Sequence, residues 1–371
     1  MNTELIITKI EIYKLRIPYK QPFNISLGTI THTDNIVVRI HTDAGIIGTG
    51  EGSPFAFING EVQDAAFEIG KLLASALKGK NALAIADRWK DIDQAIAGNN
   101  TIKSAFDIAL YDIMGKHCNL PLYALWGGNN DLDLHTDMTV GIASPDQMAG
   151  EAVLFVKEGF PAIKVKLGTT MSEDVARIKA IREAIGYDIP LSIDANQGWD
   201  VATAIRTLKA LEKYDIKLCE EPVPAWNQAG LKQVYENSPI SIMADESVFD
   251  HRDAFRLAAS QSCDSFNIKL SKSGGITNAL KIADIAEAAG LICQVGCMAD
   301  SRFALTVLAH LCMAKRNIIH YDMDSALMLA EDPVEGGITY GAHGKIRLED
   351  APGVGAEFKE EYLEKMPSVV I

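Results

Sequence analysis

Leu191-Ser192-Ile193-Asp194 is a short apolar run closed by an acid, and the pattern returns at Lys217-Leu218-Cys219-Glu220 and at Ile242-Met243-Ala244-Asp245. The acids are spaced by roughly 25 residues, about one strand plus one helix. In βα units that close into a barrel, consecutive strand ends point into one mouth, so carboxylates far apart in sequence converge. Converging carboxylates repel unless a cation lies among them. Hard oxygen donors, with no Cys or His at these positions, suit Mg²⁺ better than zinc. Lysines flank the set. Lys164 and Lys166 close A-I-K-V-K (162–166) one unit earlier, and Lys269 closes F-N-I-K (266–269) one unit later. Amines are therefore expected on both sides of a metal held by Asp194, Glu220 and Asp245.

Working outward, the same alternation of strand and helix runs from about residue 133: L-H-T-D-M-T-V, A-I-K-V-K, P-L-S-I-D, I-K-L-C-E, I-S-I-M-A-D, S-F-N-I-K, L-I-C-Q-V-G and I-I-H-Y-D. Amphipathic stretches such as S-E-D-V-A-R-I-K-A-I-R-E-A-I separate them, which predicts an α/β chain built on a parallel barrel. Upstream, I-I-T-K-I-E-I-Y-K-L and N-I-V-V-R-I-H-T alternate in the manner of antiparallel strands, with a D-A-G turn following. Helical periodicity then covers about 61–117, with Gly and Asn punctuation near 98–100. A Gly- and Pro-rich tail after Asp324 has too little apolar surface for its own core and is expected to pack on the N-terminal lobe. A dinucleotide fold is disfavoured: neither G-T-G-E-G (48–52) nor S-G-G (273–275) opens a βαβ unit with the acid that should follow.

With 371 residues, 48% of them hydrophobic, the chain has room for a large barrel and a second lobe. A net charge of -14 argues against nucleic acid or an anionic membrane as partner. The 6 cysteines form no C-x-x-C pair and read as buried free thiols. Together with an N-terminus that lacks a signal-like apolar core, they point to a reducing cytoplasm. No apolar run is long enough to span a membrane.

Lys164 and Lys166 share one face of their strand by the period of two. Their mutual repulsion, next to a metal, is expected to lower one pKa; about 2–3 units would cost the protonated form roughly 3–4 kcal/mol. Amines on both faces of a metal-held carboxylate suit removal of its alpha proton and return from the same or the opposite side. Return from the opposite side is racemisation or epimerisation. Asn196 is expected to orient Asp194. Alternation leaves open whether Glu220 or its neighbour Glu221 faces inward.

The ordered set K-V-K, D-A-N-Q-G-W, E-E-P, A-D-E-S and N-I-K-L-S-K-S-G-G resembles the enolase superfamily, in its muconate lactonizing enzyme subgroup. A Lys or His base with Mg²⁺ is the general pattern of that superfamily. The resemblance implies a modified TIM barrel, (β/α)₇β, at 126–325, and an α+β capping domain made of residues 1–125 and the tail 326–371. It implies one Mg²⁺ on Asp194, Glu220 and Asp245, with Lys166 and Lys269 as acid/base catalysts and Lys164 assisting. Q-V-G-C-M-A-D, ending the seventh strand, has no His where the mandelate racemase subgroup carries its base. Asp322 and Asp324 in H-Y-D-M-D share a face and look like the D-x-D motif with which dipeptide epimerases hold the substrate ammonium. The implied activity is a dipeptide epimerase acting on the C-terminal residue, and a homo-oligomer is also implied. Other subgroup activities remain the alternative: N-succinylamino acid racemase, o-succinylbenzoate synthase or muconate cycloisomerase. A catalytically silent barrel acting as a scaffold is the alternative of another class. In Ala-Glu epimerases an arginine of an N-terminal loop binds the glutamate carboxylate, and S-L-G-T-I-T places Gly28 there. Without that guanidinium, small or hydrophobic dipeptides are expected to be preferred over Ala-Glu. Phe23, Ile25, Leu27, Ile30 and Met298 are the expected pocket residues.

Overall fold

The computed structural model describes residues 4–371. Strands β1 (Ile7–Ile25), β2 (Gly28–Thr42) and β3 (Ile47–Gly52) form an antiparallel sheet, joined on the outer side of β1 by β17 (Ser368–Val370). Ile10 and Ile12 of β1 and Ile36, Val38 and Ile40 of β2 are fully buried, as period-two alternation requires. They pack against α1 (Gln63–Leu77), α2 (Ile85–Ala95) and α3 (Asn100–Cys118). The break between α2 and α3 falls at the Gly and Asn punctuation, with Asn99 at φ 57.

The G-T-G-E-G run belongs to β3. A Cβ on Gly48, Gly50 or Gly52 would lie 2.1, 1.9 or 2.3 Å from the carbonyl oxygens of Ala109, Ala105 and Thr101. The alternate glycines let α3 lie directly on the sheet, and Glu51 between them points the other way. Its buried carboxylate accepts from Asn35 Nδ2 at 2.7 Å, from Ser301 Oγ at 2.7 Å and from the Ala304 amide at 3.1 Å, which ties the lobe to the second domain.

That domain is a (β/α)₇β modified TIM barrel. Its strands are β5 (Met138–Val140), β6 (Ile163–Lys166), β7 (Leu191–Asp194), β8 (Ile216–Glu220), β9 (Ser241–Ala244), β10 (Ser265–Ile268), β11 (Ile292–Gly296) and β12 (Ile318–Asp322). They pair in sequence order as one 8-stranded parallel sheet. The two edges come together where the Asp137 amide donates to Tyr321 O at 3.2 Å. Each expected strand is present, with one change at the first. Leu134–His135, β4, pairs with β15 (Lys345–Arg347), and the chain enters the barrel only at Met138. Thr136 and Asp137 make the switch, their amides donating to Gly344 O and Tyr321 O. Several of the intervening helices are capped by a side chain; Thr170, for example, forms a capping box with Glu173.

The tail divides. Only Ser368–Val370 joins the N-terminal sheet, at β1. Val334, Ile338, Ile346, Val354 and Phe358 are buried in the barrel's apolar cluster. Among the described residues no helix is long and apolar enough to cross a membrane. All 6 cysteines are free. Two depart from the expected burial: Cys118 is exposed, in the last turn of α3, and Cys297 is half-buried.

Candidate active site

Parallel register brings the charged strand ends level. Lys166 is the partner of Asp194 and Asp194 of Glu220, while Asp245 and Lys269 follow the ends of β9 and β10 directly. Asp194, Glu220 and Asp245 are wholly buried. Lys166 Nζ lies 2.6 Å from Asp194 Oδ2. On the far side, Lys269 Nζ lies 2.7 Å from Asp245 Oδ2 and 4.0 Å from Glu220 Oε1. Lys164 sits deeper, 2.7 Å from Glu220 Oε2 and 2.8 Å from Asp322 Oδ2.

The acids outweigh the lysines electrostatically. Burial opposes the charge on Lys164, yet Asp322, Glu220, Asp194 and Asp137 hold its ammonium well above the ordinary lysine value. Lys269 is likewise raised against its burial by Asp245 and Glu220. The expected lowering of a lysine pKa by its neighbour is therefore not found at Lys164, which faces carboxylates on several strands. Burial and the charges of Asp194 and Asp245 push Glu220 up to about 7. A ring in which one carboxyl tends to keep its proton has room for more positive charge. Three oxygen-donating strand ends around a point already spanned by the Lys269 ammonium fit a hard divalent cation.

Glu220, not Glu221, faces the ring. Asn267 Nδ2 and Gln294 Nε2 donate to it at 2.9 and 3.2 Å. Glu221 has left strand geometry, at φ 33, and turns its carboxylate to the amides of Asp245 and Ser247 at 2.7 and 3.1 Å. Asn196, at φ 41, donates its amide to Asp194 Oδ1 at 2.8 Å and its side-chain nitrogen to Glu246 at 3.3 Å.

Above the ring is one cavity whose lining includes Lys166, Lys269, Asn196, Asp322 and Asp324. Asp324 Oδ2 accepts the Thr139 amide at 2.9 Å. Burial and Asp322 push its pKa up to about 6. Asp322 is held low, against burial, by Lys164 and Lys269. The apolar wall comes from the β1–β2 hairpin and the loop after β3: Phe23, Ile25, Ile30, Phe55 and Ile58, with Met298 and Met328 from the barrel side. Gly28 and Leu27 lie outside this lining. Gly28 follows the two-residue turn Ser26-Leu27, and a Cβ there would meet the ring of Phe57 at 3.0 Å. Among the described residues no arginine lines the cavity.

Residues 7–127 match the mandelate racemase / muconate lactonizing enzyme N-terminal domain, and residues 147–362 the enolase C-terminal domain-like family. The chain belongs to the enolase superfamily. It is 48% identical over 367 residues to the D-Ala-D/L-Ala epimerase of Cytophaga hutchinsonii, spanning 99% of this chain and 100% of that one. It is 43% identical over 350 residues to the hydrophobic dipeptide epimerase of Enterococcus faecalis, spanning 94% and 99%. The crystal structure of a dipeptide epimerase from Cytophaga hutchinsonii complexed with Mg and the dipeptide D-Ala-L-Val matches with a TM-score of 0.97 and 49% identity, over 99% of this chain and 100% of that one. Like these relatives, the chain is an isomerase.

Several residues of this superfamily site escape sequence reasoning. Lys272 is wholly buried; its Nζ lies 2.6 Å from Asp245 Oδ1 and donates to Asn267 O at 2.9 Å. It sits one helical turn beyond Lys269, where the strand-end rule does not reach. Cys297 lies between Asp322 and Asp324. Phe55, Phe57 and Ile58 belong to a loop with no periodicity, and only the packed cap brings them to the barrel.

Proposed function

We propose that this isomerase is a Mg²⁺-dependent dipeptide epimerase that inverts the alpha carbon of the substrate's C-terminal residue. The observation that carries this reading is a single cavity lined by two lysines from opposite sides of an acidic ring and by two aspartates on a further strand end. Asp194, Glu220 and Asp245 would hold the metal, which would supply positive charge to the substrate carboxylate. Lys166 or Lys269, whichever faces the C–H bond in its neutral form, takes the alpha proton as the electron pair moves into the carboxylate. The lysine on the other face then returns a proton from its ammonium, and the centre inverts. Lys164 adds charge beneath the carboxylate, and Asn196 orients Asp194. Asp322 and Asp324 receive the free ammonium, which an N-succinylated substrate would lack.

Phe23, Ile25, Ile30, Phe55 and Met298 form an apolar seat for the second side chain, so small or hydrophobic dipeptides are preferred over Ala-Glu. We assign residues 1–125 and 326–371 to the cap and 126–325 to the barrel, the tail packing along the barrel's apolar cluster before Ser368–Val370 joins the cap sheet. We also place the enzyme in the cytoplasm as a homo-oligomer, a reading that the free thiols support as to compartment.

The test is a dipeptide library incubated in D₂O with Mg²⁺. Deuterium is expected at the alpha carbon of the second residue, with inversion, and faster on Ala-Ala or Ala with a branched residue than on L-Ala-L-Glu. Faster turnover of N-acylated amino acids than of any dipeptide would refute the activity. Faster turnover of L-Ala-L-Glu would refute the specificity alone.

A further inference from the structure

The aspartate pair has a third member that the proposed reaction does not use. Asp322 and Asp324 are 4% and 2% exposed. One oxygen of each is engaged, Asp322 Oδ2 by Lys164 and Asp324 Oδ2 by the Thr139 amide. The remaining oxygens both face Cys297 Sγ, at 3.7 and 3.6 Å. A thiol carries one proton and can donate to only one acceptor at a time. The Cys297 proton therefore satisfies only one of these two oxygens at a time, and all three residues line the cavity.

These three ligand atoms lie within 4.8 Å of one another. Around a tetrahedral zinc ion, with bonds of about 2.3 Å to sulfur and about 2.0 Å to oxygen, neighbouring S and O ligands stand about 3.5 Å apart. The observed S···O separations of 3.6 and 3.7 Å come close to that edge. The donor set also separates this site from the carboxylate ring. Sulfur favours soft or borderline cations such as Zn²⁺ and Cd²⁺, whereas an all-oxygen ring suits Mg²⁺.

We propose that Cys297, Asp322 and Asp324 form a second cation site, selective for a thiophilic divalent metal, at the subsite otherwise offered to the substrate ammonium. On binding, the Cys297 S–H proton leaves to solvent and the sulfur and two carboxylate oxygens coordinate the ion, with the fourth position open to the cavity. Such a metal excludes a dipeptide from the aspartates while Mg²⁺ remains on its own ring; this competition rests on the proposed function, but the metal site does not.

The test titrates Cd²⁺ into Mg²⁺-loaded protein carrying Cys118→Ser, which removes the exposed thiol, and follows the ultraviolet thiolate-to-cadmium charge-transfer band together with calorimetric heat. One band of unit stoichiometry is expected. Cys297→Ser should abolish it and weaken binding by more than the roughly hundredfold lost with a supporting, non-ligating group. Asp324→Asn should weaken binding while keeping the band. No band, or one that survives Cys297→Ser, overturns the site. If the band behaves as expected but L-Ala-L-Ala does not compete with Cd²⁺, the metal site stands and the placement of the ammonium fails.

Discussion

Replacing Asp324 by Asn isolates the reading of the substrate ammonium. Asp324 is 2% exposed, and its Thr139 amide bond at 2.9 Å can be kept by an Asn side-chain oxygen. What is lost is the charge. Removing one partner of a buried ion pair costs about 3–5 kcal/mol. Asp322 survives in the variant, though Lys164 at 2.8 Å already claims part of its charge. The expected loss therefore falls below that range, at about 2–3 kcal/mol, or roughly 30- to 150-fold in kcat/KM. The assay compares kcat/KM for a free dipeptide and its N-acetyl form by polarimetry or deuterium exchange. The acetylated form has no ammonium to lose, so its already poor rate should barely change. With Asp324 pushed up to about 6, the carboxyl is neutral below that pH. For the free dipeptide, kcat/KM should thus rise as pH increases through about 6, and Asp324→Asn should flatten that limb. Equal losses on both substrates would refute the reasoning.

Lys269→Ala should suppress exchange from one diastereomer of a dipeptide far more than from the other, with Lys166→Ala showing the reverse preference; identical effects would rule out a two-face mechanism. Gly28→Arg alone should confer little turnover of L-Ala-L-Glu, since Gly28 sits at φ 155 and a side chain there meets Phe57 at 3.0 Å, whereas adding Phe57→Ala should raise that rate by relieving the contact, though not the backbone strain. Activity in the single variant equal to that of the pair would show that the ring is no obstacle. Gly50→Ala places a methyl 1.9 Å from Ala105 O, and should destabilise the fold by about 3 kcal/mol or more. An unchanged urea midpoint would mean that α3 is not seated as described.

The barrel strands were legible because they are short, apolar and separated by helices, and because Asp194, Glu220 and Asp245 repeat at one strand-plus-helix spacing. The period of two put Asp322 and Asp324 on one face, although Asp324 lies beyond the end of β12, and the D-x-D resemblance suggested their role. Glu221 was not resolvable by that period, since at φ 33 it no longer obeys strand alternation. Lys272 escaped because its role depends on a helical turn folding back beneath Asp245. The apolar wall was half legible: Phe23, Ile25 and Ile30 alternate on a recognisable hairpin, while Phe55 and Ile58 reach the cavity only through cap–barrel docking. The first barrel strand was read too long because L-H-T-D-M-T-V has one continuous pattern but two sets of strand partners.

The hairpin that walls the cavity is held very unequally along its length. At its base Asn35 joins Glu51 and donates to Ala299 O at 2.9 Å, in the buried junction with Ser301 and Ala304. Beyond Lys20, the hydrogen bonds from tip to barrel among the described residues are Ile142 N to Asn24 O at 3.0 Å and the Ser26 hydroxyl toward Ala195 O and Asn196 O at 3.3 and 3.2 Å. At about 0.5–1.5 kcal/mol net apiece, these contacts release far more readily than the base. A tip held this lightly is expected to open from its outer end, with the Glu51 junction and the domains staying together. A turnover limit set by that step would respond to the stiffness of residues 21–31 and not to the strength of the Glu51 junction.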